Sequence, residues 1–144
     1  MGCDIHLFIE VKTIRGWLCY SHPSVSREYA IFAKMANVRN YDNVVEPISV
    51  LKGIPEDASF ITKRAFEDAG KYQHHASYLT HKEICKLSNW MQLNTHPQNF
   101  DFGDLEREFL HTYLNGNSFC GFEKGASGYP KWIEDVRFVF WFDS

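Results

Sequence analysis

Carboxylate and imidazole side chains alternate with apolar ones at the start of the chain. Residues 3–11 have the period-two pattern of a half-buried β-strand, with Asp4, His6 and Glu10 on one face. Asp4 and His6 would lie about 7 Å apart, because a strand advances about 3.3 Å per residue. At that spacing they can ligate one divalent ion or act as an acid/base pair on one substrate. We therefore assign Asp4 and His6 to a candidate catalytic site.

Glu10 lies on the same predicted face, but about 13 Å from His6, which is too far to share an ion whose bonds are about 2 Å long. We expect it either to pair with an arginine or to bind the far end of a ligand. The alternative for the whole face is a solvated strand surface. Phe8 on that face, and the poor fit of Asp to strands, favour a covered site instead.

A second polar group, residues 71–78, is interpreted as a loop that leads into a helix. Thr80 and Glu83 have the spacing of a capping box, and a helix N-terminus attracts anions. We expect His75 to be a third catalytic residue, with Ser77 and Tyr78 binding substrate. In an extended loop the neighbouring His74 would point away from that site.

Arg39 and Asn40 follow a predicted helix and can offer a fork of donors to a phosphate or carboxylate. They are assigned to substrate binding. The alternative is a salt bridge that holds the loop after them.

The elements around these groups predict one α+β domain over residues 1–144, with a mostly antiparallel sheet and about three helices. Strands at both ends of the chain are expected to be paired or close together in that sheet. The predicted elements are strands at 3–11, 17–20 and 136–142, helices at 27–36 (capped by Ser26), 80–88 and 104–115, and an ordered loop at 41–60.

Composition narrows the class of partner. The net charge is −3 with no basic block, which argues against a long nucleic acid and leaves a small nucleotide allowed. Four cysteines without a C-x-x-C pair fit reduced thiols in a cytoplasmic protein, and no spacing is typical of structural zinc. No stretch is long and apolar enough to predict a membrane span. A divalent metal at Asp4 and His6 and a homo-oligomer both remain open.

Five segments, in order along nearly the whole chain, resemble an uncharacterised family of bacteriophage proteins. They are Met1–His6 (M-G-C-D-I-H), Arg27–Asn40, Gly53–Ser59, His75–Thr80 and Val136–Asp143 (V-R-F-V-F-W-F-D). Ser144 stands where this family would have Asn. The resemblance implies a phage origin, and hence the host-cell cytoplasm, rather than a reaction.

Small phage proteins often counter host defence, and two routes are to cleave or to sequester a nucleotide signal. By that analogy we expect phosphodiester hydrolysis of a small, cyclic nucleotide. One alternative is a non-catalytic sponge in which Tyr72, Tyr78 and Trp90 grip the nucleotide. A third is an inhibitor that binds a host protein through exposed aromatic side chains.

Overall fold

The computed structural model describes residues 2–25, 27–94 and 132–144. Its strands and helices are β1 (Asp4–Thr13), β2 (Gly16–Ser21), α1 (Tyr29–Ala36), α2 (Phe60–Asp68), β3 (Gln73–Thr80), α3 (His81–Asn94) and β4 (Asp135–Asp143), with single 3₁₀ turns at Tyr41–Asn43 and Gly70–Tyr72.

One antiparallel sheet has the strand order β2-β1-β4-β3, so the first and last strands are its centre. They pair continuously from Asp4 opposite Asp143 to Lys12 opposite Asp135. The predicted α+β class and the predicted pairing of the terminal strands are confirmed.

The two faces of this sheet are covered differently. The core face carries Ile5, Leu7, Ile9 and Val11 of β1, all of which are buried. Opposite them on β4, the same face carries Phe142, Phe140, Phe138 and Val136, and the apolar stripes of α1 and α3 pack on it: Ile31, Phe32, Met35, Ile84 and Leu87. Strict alternation along β1 and β4 thus produces the main hydrophobic core.

The other face, here the α2 face, carries His6, Phe8 and Glu10 of β1. Helix α2 covers part of it, with the Phe66 ring 5.2 Å from the Trp141 ring in an edge-on contact. The sequence pattern did not predict α2, because Phe60 and Ile61, two of its three large apolar residues, do not face the sheet. Phe60 is 81% exposed and Ile61 58% exposed, whereas Thr62 is fully buried.

Glu10 is the fully buried centre of a polar network on the α2 face. One carboxylate oxygen accepts from Arg137 Nε at 2.8 Å. The other accepts from the Ser59 N–H and the Thr62 hydroxyl, each at 2.8 Å. Every oxygen is therefore occupied, and the network fixes the start of α2 to the sheet. The expectation that Glu10 binds substrate is therefore corrected. Glu10 instead pairs with an arginine, Arg137, which is the other alternative that the sequence allowed.

Several predicted boundaries also change. Residues 73–80 form strand β3 rather than a loop, and α3 continues beyond residue 88 to Asn94. The capping box at its start is confirmed, since the Thr80 hydroxyl accepts from the Glu83 N–H and Glu83 accepts from the Thr80 N–H. Helix α1 begins at Tyr29 with Glu28 as its N-cap residue. Ser26 and the predicted helix at 104–115 lie outside the described residues.

Replacing Glu10 with Ala should lower the free energy of unfolding by about 3–5 kcal/mol, because it leaves Arg137 charged, buried and short of a partner. Urea denaturation of both proteins measures the change. Arg64→Ala is the matched control: its pair with Asp68 is exposed, and its loss should cost less than about 0.5 kcal/mol. Equal losses in the two variants would contradict the structural role assigned to Glu10.

Candidate functional site

A cleft of about 290 Å³ opens on the α2 face where β1 begins, close to the lower end of small-molecule site volumes. It is lined by Asp4, Ile5, His6, His22, Pro23, Ser24 and Val25. Two of the three residues assigned to catalysis, Asp4 and His6, therefore border the same cleft.

The His6 imidazole is fixed by a carboxylate on the neighbouring strand. Its Nε2 lies 2.5 Å from Oδ2 of Asp143, the diagonal neighbour of His6 across the β1–β4 pair. Trp141, directly opposite His6, supports the ring by stacking at 5.8 Å. An ionised carboxylate can only accept, so Nε2 donates and, in the neutral ring, Nδ1 carries the lone pair.

His22 is the second imidazole of the cleft. Its ring lies flat on Phe8, with centres 4.0 Å apart and planes 5° apart, and 6.5 Å from the centre of the His6 ring. Its Nδ1 is 2.8 Å from the Leu7 carbonyl oxygen, which can only accept. Nδ1 therefore carries the proton, and Nε2 of the neutral ring carries the lone pair.

Arg27 and Asp4 form a two-pronged ion pair at the rim of the cleft, with N···O distances of 2.6 and 3.1 Å. The hydrogen bond from Arg27 is the main cause that lowers the pKa of Asp4; slight burial opposes it, and the charges of Arg27 and His6 add to it. Both side chains are about half exposed. An exposed guanidinium in this position can exchange a carboxylate for a phosphate, since it binds both with the same fork.

His75 does not join Asp4 and His6. The register of β3 shifts between His74 and Ser77, and His74 lies opposite Phe142, on the core face. The contacts of His75 are with His74, and it lines a different cleft, of about 530 Å³, beside the end of α1 and residues 46–51. The expected three-residue cluster is thus corrected to two separate groups on opposite faces of the sheet, because strand alternation places His6 on the α2 face.

The remaining candidates for substrate binding have structural contacts. The Asn40 side-chain amide donates to Asn37 and to the Val45 carbonyl and accepts from the Val45 N–H, which closes the loop after α1. Arg39 donates to the Tyr41 hydroxyl at 3.1 Å. Asn40 is thereby held in the loop after α1, and Arg39 is held beside it.

Ser77 and Tyr78 lie on β3. Ser77 is buried and its hydroxyl accepts from the Lys52 N–H at 3.0 Å. The Tyr78 ring lies beneath the Lys52 ammonium at 4.3 Å, while Trp90 and Tyr72 lie beneath two other lysines, Lys34 and Lys71. The three aromatic residues proposed to grip a nucleotide are thus each stacked against a different cation.

Sequence reasoning missed His22, Asp143 and Arg27. His22 could have been located from the β1–β2 hairpin. Because Ser21 lies opposite Ile9, the next residue of the chain must lie beside Phe8 and Leu7. The signal for Asp143 was the antiparallel pairing of the terminal strands, which brings the end of β4 to the start of β1.

Three further observations bear on earlier expectations. Within 2–25, 27–94 and 132–144, no three His, Cys, Asp or Glu side chains are grouped as a metal site would need. In the same ranges no helix has both the length and the apolar composition to cross a bilayer. Cys3, Cys19 and Cys85 are free thiols, and Cys120 lies outside the described part of the chain.

Comparisons of the chain with protein-family models, curated proteins and solved structures found no match.

The environment of His75 predicts a pH dependence of stability. Burial, and then the charge of His74, lower its pKa from the ordinary 6.5. As the pH falls, His75 is protonated in the unfolded chain before it is protonated in the folded protein. Its contribution to the free energy of unfolding is therefore fully present above pH 6.5 and is lost as the pH falls below that value. Urea midpoints at pH 7.5 and 5.0 should therefore differ less in His75→Gln than in the unmodified protein.

His81→Gln is the control for this comparison, since it removes a histidine of α3 rather than of the β3 bulge. It should leave the pH dependence closer to that of the unmodified protein. If the urea midpoint changes equally between pH 7.5 and 5.0 in the unmodified protein and in His75→Gln, the pH dependence does not come from His75.

Proposed function

We propose that the protein hydrolyses a phosphodiester bond of a small nucleotide, a cyclic nucleotide being the first candidate, with His6 and His22 as its acid/base pair. The observation that carries this proposal is the arrangement of the two imidazoles. Each ring has one nitrogen engaged, by Asp143 or by the Leu7 carbonyl, so that its second nitrogen is left for a ligand in the cleft.

The separation of the rings suits a phosphate. Their centres are 6.5 Å apart. Two hydrogen bonds of about 2.8 Å that converge from the edges of the two rings can reach different oxygens of one phosphate group. One phosphodiester can therefore contact both imidazoles, which is the first requirement for acid/base catalysis.

Hydrolysis then needs one proton to be taken and one to be given. Nδ1 of His6 takes a proton from the attacking water, and Asp143 stabilises the imidazolium that forms, as a carboxylate does beside a catalytic histidine. Protonated His22 gives the Nε2 proton to the leaving oxygen while its Nδ1–H stays on the Leu7 carbonyl. Proton exchange with solvent then restores both rings.

Arg27 would hold the phosphate. Without ligand its fork is held by Asp4. With ligand, the guanidinium would turn to the phosphate oxygens and release Asp4. The phosphodiester, with a charge of −1, would thereby replace the Asp4 carboxylate as the anion that Arg27 binds. If the phage resemblance holds, the nucleotide is a host defence signal, and its cleavage would switch that signal off.

The His6→Ala and His22→Ala variants should each lower the rate of nucleotide hydrolysis by roughly a hundredfold or more, because general acid/base groups supply about 10²–10⁴. The assay incubates purified protein with a panel of cyclic mono- and dinucleotides, with and without a chelator, and separates the products by chromatography. His81→Ala is the matched control and should retain the rate, since His81 lies on α3, away from the cleft.

Melting curves and binding isotherms separate the other outcomes. A nucleotide that binds and is recovered intact after denaturation would replace hydrolysis with sequestration. In that case His6→Ala should weaken binding by roughly ten- to a hundredfold, about one hydrogen bond to a charged group. Folded His6→Ala protein with unchanged turnover and affinity would remove the α2-face cleft from the function.

A further inference from the structure

Two adjacent histidines on β3 contact each other although they are neighbours in a strand. In a regular strand, consecutive side chains point to opposite faces. Here the bulge at residues 75 and 76 interrupts the ladder, and His75 has a left-handed backbone with φ 54°. Its Nδ1 thereby comes within 2.8 Å of Nδ1 of His74, with the two rings at 84°.

The chain of contacts continues to a hydroxyl. Nε2 of His74 lies 2.8 Å from Oγ of Ser144, the residue directly after β4. The His74 ring is supported by Phe142, 6.2 Å away and inclined by 23°. The end of β4 thus holds a histidine on each side: Asp143 contacts His6 and Ser144 contacts His74.

One direction of hydrogen bonding along this chain places a base next to Ser144. Two nitrogens 2.8 Å apart share one proton, so one ring donates and the other accepts. The lowered pKa of His75 keeps that ring neutral near pH 7 and able to accept. When His74 donates from Nδ1, its Nε2 holds the lone pair and accepts the hydroxyl proton of Ser144.

We propose that Ser144, His74 and His75 form a nucleophile, base and orienting group, and that Ser144 accepts the acyl group of small carboxylic esters. The geometry meets two requirements for an activated serine: a nucleophile–base hydrogen bond and a base–orienter hydrogen bond, both at 2.8 Å. The orienting role that a carboxylate has in many triads falls here to a neutral imidazole.

The reaction balances with water alone. Ser144 Oγ attacks the ester carbonyl while His74 Nε2 takes the hydroxyl proton. The bond to the alcohol then breaks, and His74 returns the proton to the leaving oxygen, which yields an acyl-serine and the free alcohol. Water attacks the acyl-serine with the same base, releasing the carboxylic acid and restoring Ser144.

The acyl part of the substrate follows from the neighbouring cleft. His75 borders the cleft of about 530 Å³, whose lining has five apolar residues beside the polar Asn37, Glu46 and Ser49: Ala36, Pro47, Ile48, Val50 and Leu51. Apolar walls of this size favour an aliphatic acyl chain over a charged one. We therefore assign short aliphatic acyl esters as the substrate class.

The test is covalent labelling of the full chain with an alkyl fluorophosphonate, which an activated serine displaces at phosphorus with loss of fluoride. Intact mass and peptide mapping should show one adduct, on Ser144, and none after denaturation. Ser144→Ala should abolish the adduct. His74→Gln should slow labelling by roughly a hundredfold or more, the contribution of a general base. Ser88→Ala is the matched control and should be labelled at the unmodified rate.

Two further readouts keep the proposal falsifiable if His74→Gln folds poorly. The unmodified protein should release p-nitrophenol from p-nitrophenyl butyrate with a burst of one equivalent, faster than from the acyl analogue that ends in a carboxylate. Ser144→Cys should be alkylated by iodoacetamide faster than Cys19, whose pKa is raised by burial. No adduct on Ser144, or labelling of equal rate in folded His74→Gln protein, would overturn the proposal.

Discussion

The antiparallel pairing of β1 with β4 is the interaction on which the rest of the structure depends. It joins residues more than 120 positions apart in a continuous ladder from Asp4–Asp143 to Lys12–Asp135. A slip of one residue would turn every apolar side chain of one strand away from the core. The register also sets the polar contacts, since it places Arg137 opposite Glu10 and Asp143 within diagonal reach of His6. Core, ion pair and candidate site are therefore specified together.

The same pairing explains why functional candidates gather at one end of the sheet. Toward the middle, the α2 face is closed by helix α2 and by the fully occupied Glu10 carboxylate. At the start of β1 and the end of β4, beyond that cover, the polar side chains are partly exposed. His6 and Asp143 have side-chain exposures of 37% and 44%. The buried network around Glu10 lies next to the partly exposed pair of His6 and Asp143. The first stabilises this part of the sheet, and the second remains accessible to a ligand.

Sequence periodicity was sufficient for β1, β4 and the start of α3, since each has strong apolar alternation or a capping box. It failed where tertiary contacts override local preference. Strand β3 is rich in Gln, His and Ser, and its bulge at His75 breaks the alternation. Helix α2 exposes Phe60 and buries Thr62, so its apolar residues do not form one stripe that faces the sheet.

The candidate site was predictable in part for a similar reason. Asp4 and His6 are close in sequence and were found from their spacing, whereas His22, Arg27 and Asp143 reach the cleft only through the fold. The sequence shows that His75 can act as an acid or a base. It does not show whether His75 lies on the same side of the sheet as His6, because the bulge in β3 determines that.

Asp143 and the Leu7 carbonyl hold His6 and His22 in opposite tautomers. Long-range ¹H–¹⁵N correlation spectra of the imidazole rings, recorded where both are neutral, report which nitrogen carries the proton. We expect protonation at Nε2 for His6 and at Nδ1 for His22. In Asp143→Ala the His6 signals should shift to the average of the two tautomers. Rapid averaging of both rings in the unmodified protein, or the same tautomer in both, would contradict these assignments.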